Sequence, residues 1–126
     1  MGPLSRTRVA GRIELGRAGE KAAADLLKRQ GYEVIGCGFR ARRGELDLIC
    51  RRGRDLVVVE VKTRTDDSFG TPAGAVGSRK RRALMAAAAE YRALAEWRGA
   101  IRYLVVGLTV REGGKFEAEL IEDAFT

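Results

Sequence analysis

The stretch GELDLICRRGRDLVVVEVKTR, residues 44–64, constrains the fold more than any other part of the chain. It holds two apolar, β-branched runs on either side of Gly53-Arg54, and a two-residue loop with glycine first suits a type II′ hairpin turn. Each run carries charge where a buried strand would hold carbon: Glu45 and Asp47 in the first, Glu60 and Lys62 in the second. With residue 52 paired to residue 55 across the loop, Asp47 falls opposite Glu60 and Glu45 opposite Lys62. Strand alternation then predicts all four charges on one face and Leu46, Leu48, Val57, Val59 and Val61 on the other.

Around this hairpin the periodicity predicts an α/β fold. A first helix is expected over 17–30, stopped by Gly31, with Leu15, Ala18, Gly19, Ala22 and Leu26 as its apolar stripe. Glu20 lies off that stripe, on the flank shared with Ala23 and Leu27. Strands are predicted at 33–39, 45–50 and 56–63, and residues 66–77 carry the Asp, Ser, Gly and Pro of a loop. A second helix is expected from Ser78, as N-cap, to about Trp97, with Leu84, Ala88, Tyr91 and Ala95 inward. A strand at 101–110 and an edge strand at 116–121 complete the order α-β-β-β-α-β-(β). The long crossover makes strand 101–110 parallel to a central strand, giving a mixed sheet flanked by helices. At 126 residues the chain is long enough for one core and too short for two. Residues 1–14 are expected to form a flexible arm and 15–126 a single domain.

Several chemistries are excluded. The chain has no histidine, which rules out Ser-His-Asp and Cys-His catalysis and HExxH zinc sites. Cys37 and Cys50 form no CxxC pair and suit two small hydrophobes in a sheet better than a disulfide. No apolar run approaches the ~20 residues of a membrane span, and the start lacks a signal-peptide apolar stretch, so the cytoplasm is expected. GCGFRA at 36–41 fits G-x-G-x-x-A only formally, because a strand rather than a helix follows it. VEVK lacks the glycine-rich loop and HRD motif of a kinase.

Two facing carboxylates repel, and burial worsens the repulsion. A divalent cation between them removes that cost, and Mg²⁺ suits one or two carboxylates completed by waters and substrate phosphate. Lys62, two residues beyond Glu60, points the same way and can position an attacking water. Acid, acid and lysine on one strand face form the constellation of a metal-dependent phosphodiesterase. The competing reading is an exposed hairpin face laced by Glu45–Lys62 and Arg–acid pairs.

Charge points to a polyanionic partner. The net charge is +7, and six arginines fall within residues 40–54. RKRR at 79–82 sits at the expected start of the second helix, where cations oppose the macrodipole and a phosphate would meet free N–H groups. Arg40, Arg42, Arg43, Lys80, Arg81 and Arg82 are the candidate contacts to a nucleic-acid backbone, with Arg51, Arg52 and Arg54 as further cations. No recognition helix is apparent, so sequence-specific reading is not expected.

GRAGEKAAADLLKRQGYEVIGCGFRARRGELDLICRRGRDLVVVEVKTR, followed by FGTPAGAVGSRKRRAL, resembles the YraN-like group of small bacterial proteins, uncharacterised protein family 0102. The likeness runs from about Gly16 to the terminal EDAF. The resemblance implies a restriction-endonuclease-like core of the PD-(D/E)XK nuclease superfamily, akin to archaeal Holliday-junction resolvases. It matches Asp47, Glu60 and Lys62 to the (P)D…(D/E)xK signature and Glu20 to a helix-borne glutamate. The implied activity is Mg²⁺- or Mn²⁺-dependent endonucleolytic hydrolysis of DNA, with branched and single-stranded DNA among the substrates. Asp47, Glu60 and Glu20 are then the metal ligands. The alternative is a non-catalytic nucleic-acid-binding module on the same fold, and a homodimer is left open. Two positions depart from the family pattern. Gly38 stands where Asn is usual, which bears on a turn or a phosphate contact. Leu104 stands where Asp is usual, which means either a lost accessory acid or a repacked strand.

Overall fold

The computed structural model describes residues 4–65 and 76–125, with residues 4–13 described by backbone alone. Its elements are α1 (Leu4–Arg29), β1 (Glu33–Arg40), β2 (Glu45–Arg52), β3 (Asp55–Arg64), α2 (Ser78–Ala95), β4 (Ile101–Val110) and β5 (Phe116–Ile121). The five strands lie in one sheet in chain order, with β3 and β4 parallel and every other neighbouring pair antiparallel. Helix α1 covers one face and α2 the other. The result is an α/β fold with a mixed sheet, consistent with a restriction-endonuclease-like core. Among the described residues no helix is long and apolar enough to cross a membrane.

The hairpin forms in the predicted register. Arg52 pairs with Asp55, Leu48 pairs with Val59, and positive φ is confined to Gly53 within the two-residue loop. Two apolar clusters sandwich the sheet. Leu48, Cys50, Val57, Val59 and Leu104 pack under Ala23 and Leu27 of α1. Ile49, Leu56, Val58 and Val105 pack under Leu84, Ala87 and Ala88 of α2. Each fully buried Leu, Ile or Val side chain contributes about 1.5–3 kcal/mol relative to exposure.

The helices differ from expectation in detail. Helix α1 begins at Leu4 rather than near residue 17, and its packed stripe is Gly19, Ala23 and Leu27, while Ala18 is exposed. The stripe turns toward Glu20's flank because Gly19 lies against β3, where a Cβ would collide with the Thr63 hydroxyl. Its end is as expected: Gly31 has φ +92°, and the Gly31 and Tyr32 N–H groups donate to the Lys28 and Leu27 carbonyls in a Schellman motif. Helix α2 is capped by Gly77 with no side-chain hydrogen bond, so Ser78 is its first residue rather than its cap. The expected loop at 66–77 lies outside the described residues up to 75.

At its other end, α2 closes through the same kind of motif, with Glu96 at φ 52° and ψ 41°. The Glu96 and Trp97 N–H groups donate to the Ala93 and Arg92 carbonyls. A side chain in the left-handed region costs about 1–2 kcal/mol, which glycine avoids. Glu96→Gly should therefore raise stability by about 1 kcal/mol, several degrees in a domain of this size. Glu96→Ala, which keeps the Cβ, should bring no such gain in the same thermal melts.

Candidate active site at a strand fork

The β2–β3 ladder ends at Leu48–Val59, just before the charged positions. Beyond it β2 stays with β1, through Phe39–Leu46 and Arg40–Glu45, while β3 stays with β4 as far as Arg64–Thr109. The two strands part like a fork, and Asp47 and Glu60 stand at its mouth. They are therefore not the ladder pair that the register alone predicts, and neither are Glu45 and Lys62, since Glu45 pairs with Arg40 instead. At the parting point the Val61 N–H donates to Asp47 Oδ2 at 2.8 Å, so a side chain takes the place of a backbone acceptor.

The parting corrects one facing assignment. Leu48 packs in the α1 cluster but Leu46 packs in the α2 cluster, so the alternation slips at Asp47 between them. The neighbouring strand turns at the same level: Cys37 and Leu48 line a common groove on the α1 side, whereas Phe39 joins the α2 cluster. Gly38, between them, has φ +63°. Asn and Gly are the residues that reach that region most readily, so glycine here keeps the turn that the Asn expected from the resemblance would also allow. Leu104, the other departure, is buried in the α1 cluster, where an aspartate would meet carbon.

Glu60 is 4% exposed and faces α2. Its Oε1 lies 3.6 Å from Lys62 Nζ and 3.6 Å from Lys80 Nζ. Its Oε2 is buried with no hydrogen-bond partner among the described residues. Burial and then the Asp47 charge push the Glu60 carboxyl above its ordinary range, and the two lysines only partly offset them. Asp47 is likewise raised, first by burial, with Glu45 adding to the rise and the Val61 N–H, Lys80 and Lys62 opposing it. On α1, Glu20 is exposed yet raised by partial desolvation and by Asp47 and Glu45, so it stands within reach of the same field. It does not complete a metal-binding set: no three acidic or sulfur groups come together for a metal among the described residues.

Lys80 is the site residue that sequence reasoning assigned elsewhere, to the basic run. The signal was its spacing: it precedes buried Leu84 by four residues, which places both on the sheet-facing side of α2. Arg81 turns away, its guanidinium 6.0 Å from the Phe125 ring centre, and Arg82 is exposed. The turn carrying Arg42 and Arg43 docks on α2. A Cβ on Gly44 would lie 2.8 Å from the Ala83 carbonyl oxygen, and the Arg42 N–H donates to Glu90 Oε2 at 3.0 Å. Arg40, Arg42, Arg43 and the start of α2 thus lie on adjoining elements. Arg51, Arg52 and Arg54 sit at the opposite, turn end of the hairpin, where Arg51 pairs with Glu33 at 2.9 Å and Arg52 covers Tyr32 at 4.8 Å.

Buried Glu60 and half-buried Asp47, both raised above their ordinary values of 4.5 and 3.8, destabilise the fold at neutral pH. The penalty is full above the native values and vanishes below the unfolded ones, so it is relieved as pH falls. Asp47→Asn keeps an acceptor for the Val61 N–H and removes one charge. At pH 7 the variant should melt no lower than wild type and as much as ~1 kcal/mol more stably, with the difference shrinking as the pH is lowered toward about 4. A marked loss of stability at pH 7 would instead make Asp47 a structural partner of the lysines.

Comparison with known proteins agrees with the extent of this scaffold. A family model described as uncharacterised protein family UPF0102 matches residues 19–108, from the Gly19 contact on α1 to the inner part of β4. A UPF0102 protein of Symbiobacterium thermophilum is 42% identical over 112 residues, covering 88% of this chain and 95% of its own. Another, from Anaeromyxobacter dehalogenans, is 44% identical over 105 residues, covering 82% and 78%. A third, from Thermodesulfovibrio yellowstonii, is 36% identical over 114 residues, covering 90% and 97%. With the match spanning both strands of the fork, the C-terminal part of α1 and all of α2, the chain belongs to the UPF0102 family.

Proposed function

We propose that the chain is a Mg²⁺- or Mn²⁺-dependent endonuclease that hydrolyses DNA phosphodiester bonds, a member of the PD-(D/E)XK nuclease superfamily akin to the resolvases. The observation that carries this reading is Glu60 Oε2: a buried carboxylate oxygen without a donor among the described residues, on an acid whose neighbour across the fork is another raised carboxylate. Leaving such an oxygen unsatisfied costs about 1–3 kcal/mol, and a cation shared with Asp47 would remove both that cost and the repulsion. The donor set fits Mg²⁺, which takes one or two protein carboxylates and completes its shell with water and phosphate oxygen.

Asp47 and Glu60 would hold the ion, and Glu20, from the α1 side, would support a second ion or a water. When bound there, the metal would polarise the scissile phosphate and make its own water more acidic. Lys62 would orient the attacking water and offset charge that builds on the phosphate. Lys80 pairs with Glu60 Oε1 and leaves Oε2 without a donor among the described residues, so that this oxygen would be available to the ion. Arg40, Arg42, Arg43 and the cations at the start of α2 hold the strand by its phosphates without reading bases. A second reading, a binding module without turnover, is favoured by one feature: both lysines already pair with Oε1 without any metal.

Metal separates the two readings. Mg²⁺ or Mn²⁺ should raise the melting temperature of wild type, by about 2.7 kcal/mol of stabilisation at 100 times the dissociation constant, and should not do so for Asp47→Asn. With Mn²⁺, wild type should cut at least one of duplex, single-stranded or four-way-junction DNA. Asp47→Asn and Lys62→Ala should lose about 100-fold or more of that activity while still binding DNA. No metal response and no cleavage would leave the binding module. For the backbone contacts, replacing Arg42, Arg43 and Arg82 by Ala should weaken binding equally across sequences. It should also flatten the salt dependence by about one unit per lost phosphate contact.

A further inference from the structure

On the α1 face, beside the fork, a groove of about 300 Å³ runs between α1 and β1. Ala24, Val34 and Leu48 give it apolar walls, Cys37 lies open along β1, and Arg17 and Lys21 stand exposed one helical turn apart. Glu20 completes the lining and is the same carboxylate that interacts with Asp47 and Glu45, so the groove adjoins the fork. An occupant that suits this lining is apolar on its faces and carries anions that reach Arg17 and Lys21. A nucleobase on its sugar–phosphate strand meets each requirement, because apolar side chains can sandwich its faces while cations hold the flanking phosphates. A base that is stacked and paired in a duplex cannot enter such a slot without leaving the helix.

We propose that this groove receives one unpaired nucleobase of the strand bound at the fork, so that the substrate is single-stranded or locally unpaired nucleic acid rather than intact duplex. The proposal rests on the nuclease reading for its placement of the strand, but its test does not need cleavage. Cys37 is the exposed cysteine, whereas Cys50 is buried with its thiol pushed up to about 11, so alkylation of native protein reports on the groove. In metal-free protein, a short oligothymidylate at about ten times its dissociation constant should slow iodoacetamide modification of Cys37 by about tenfold, as mass action requires. The same strand annealed to its complement, and an abasic strand of equal length, should give no comparable protection. Cys37→Trp, which fills the groove, should lose the preference for single strands, while Cys37→Ser keeps it.

Equal protection by duplex or by the abasic strand would overturn the proposal, as would no protection under conditions where fluorescence anisotropy shows the oligonucleotide bound. A parallel Mn²⁺ assay keeps the two ideas apart. Protection without cleavage of any DNA supports the groove and removes the catalytic reading. Cleavage of duplex without protection keeps the catalytic reading and overturns the groove.

Discussion

The hydrogen bond from the Val61 N–H to Asp47 Oδ2 is the interaction on which the rest of this architecture depends. A central strand normally meets backbone on both sides, and a buried N–H left without an acceptor would be expensive. By supplying a side-chain oxygen, Asp47 lets the β2–β3 ladder stop while β3 continues in register with β4 to Arg64. The sheet can then split without an orphan donor in its interior. The split puts Glu60 at the mouth of the fork rather than deep in the sheet. It also admits side chains from both flanking helices, Glu20 from α1 and Lys80 from α2.

The electrostatics of the fork are lopsided. Glu60 Oε1 has two ammonium groups and Oε2 has no donor among the described residues, although both oxygens belong to one buried group. A purely structural carboxylate would be better served by spreading its partners over both oxygens, since breaking or half-satisfying a buried ion pair is costly. Lys80 makes the imbalance sharper, because as a cation in the first turn of α2 it opposes the helix dipole. Two unfavourable placements, a lysine at a helix start and a bare carboxylate oxygen, thus meet at one point and face the same second acid.

Much of this was legible in the sequence, and the limits have physical causes. Gly53 in the loop set the hairpin register, Gly31 the end of α1, and the β-branched run at 101–110 the parallel strand. The boundary of the ladder was not legible, because period-2 alternation cannot say where two strands part. Leu46 was therefore assigned to the wrong face. The stripe of α1 was set one position off, since Ala18 and Ala23 look alike until the Gly19–Thr63 approach fixes the rotation. Asp47, Glu60 and Lys62 stood out as charges in apolar strands. Lys80 did not, because four consecutive cations hide which one points inward.

Gly38 and Leu104, the two positions at which the resemblance leads one to expect Asn and Asp, bear on scaffold rather than site. Gly38 and Leu104 sit next to the fork in the fold, one at the turning point of β1 and one in the apolar cluster beneath α1. Each exchange is absorbed locally: glycine adopts the positive φ that Asn also tolerates, and leucine fills a place closed to solvent by Ala23 and Leu27. Neither replaces an acid or a lysine at the fork. An unsatisfied oxygen of about 1–3 kcal/mol is tolerable against a core of this size, but it confers nothing on folding. A feature that costs stability and confers nothing on folding is one whose cost the proposed ion would offset.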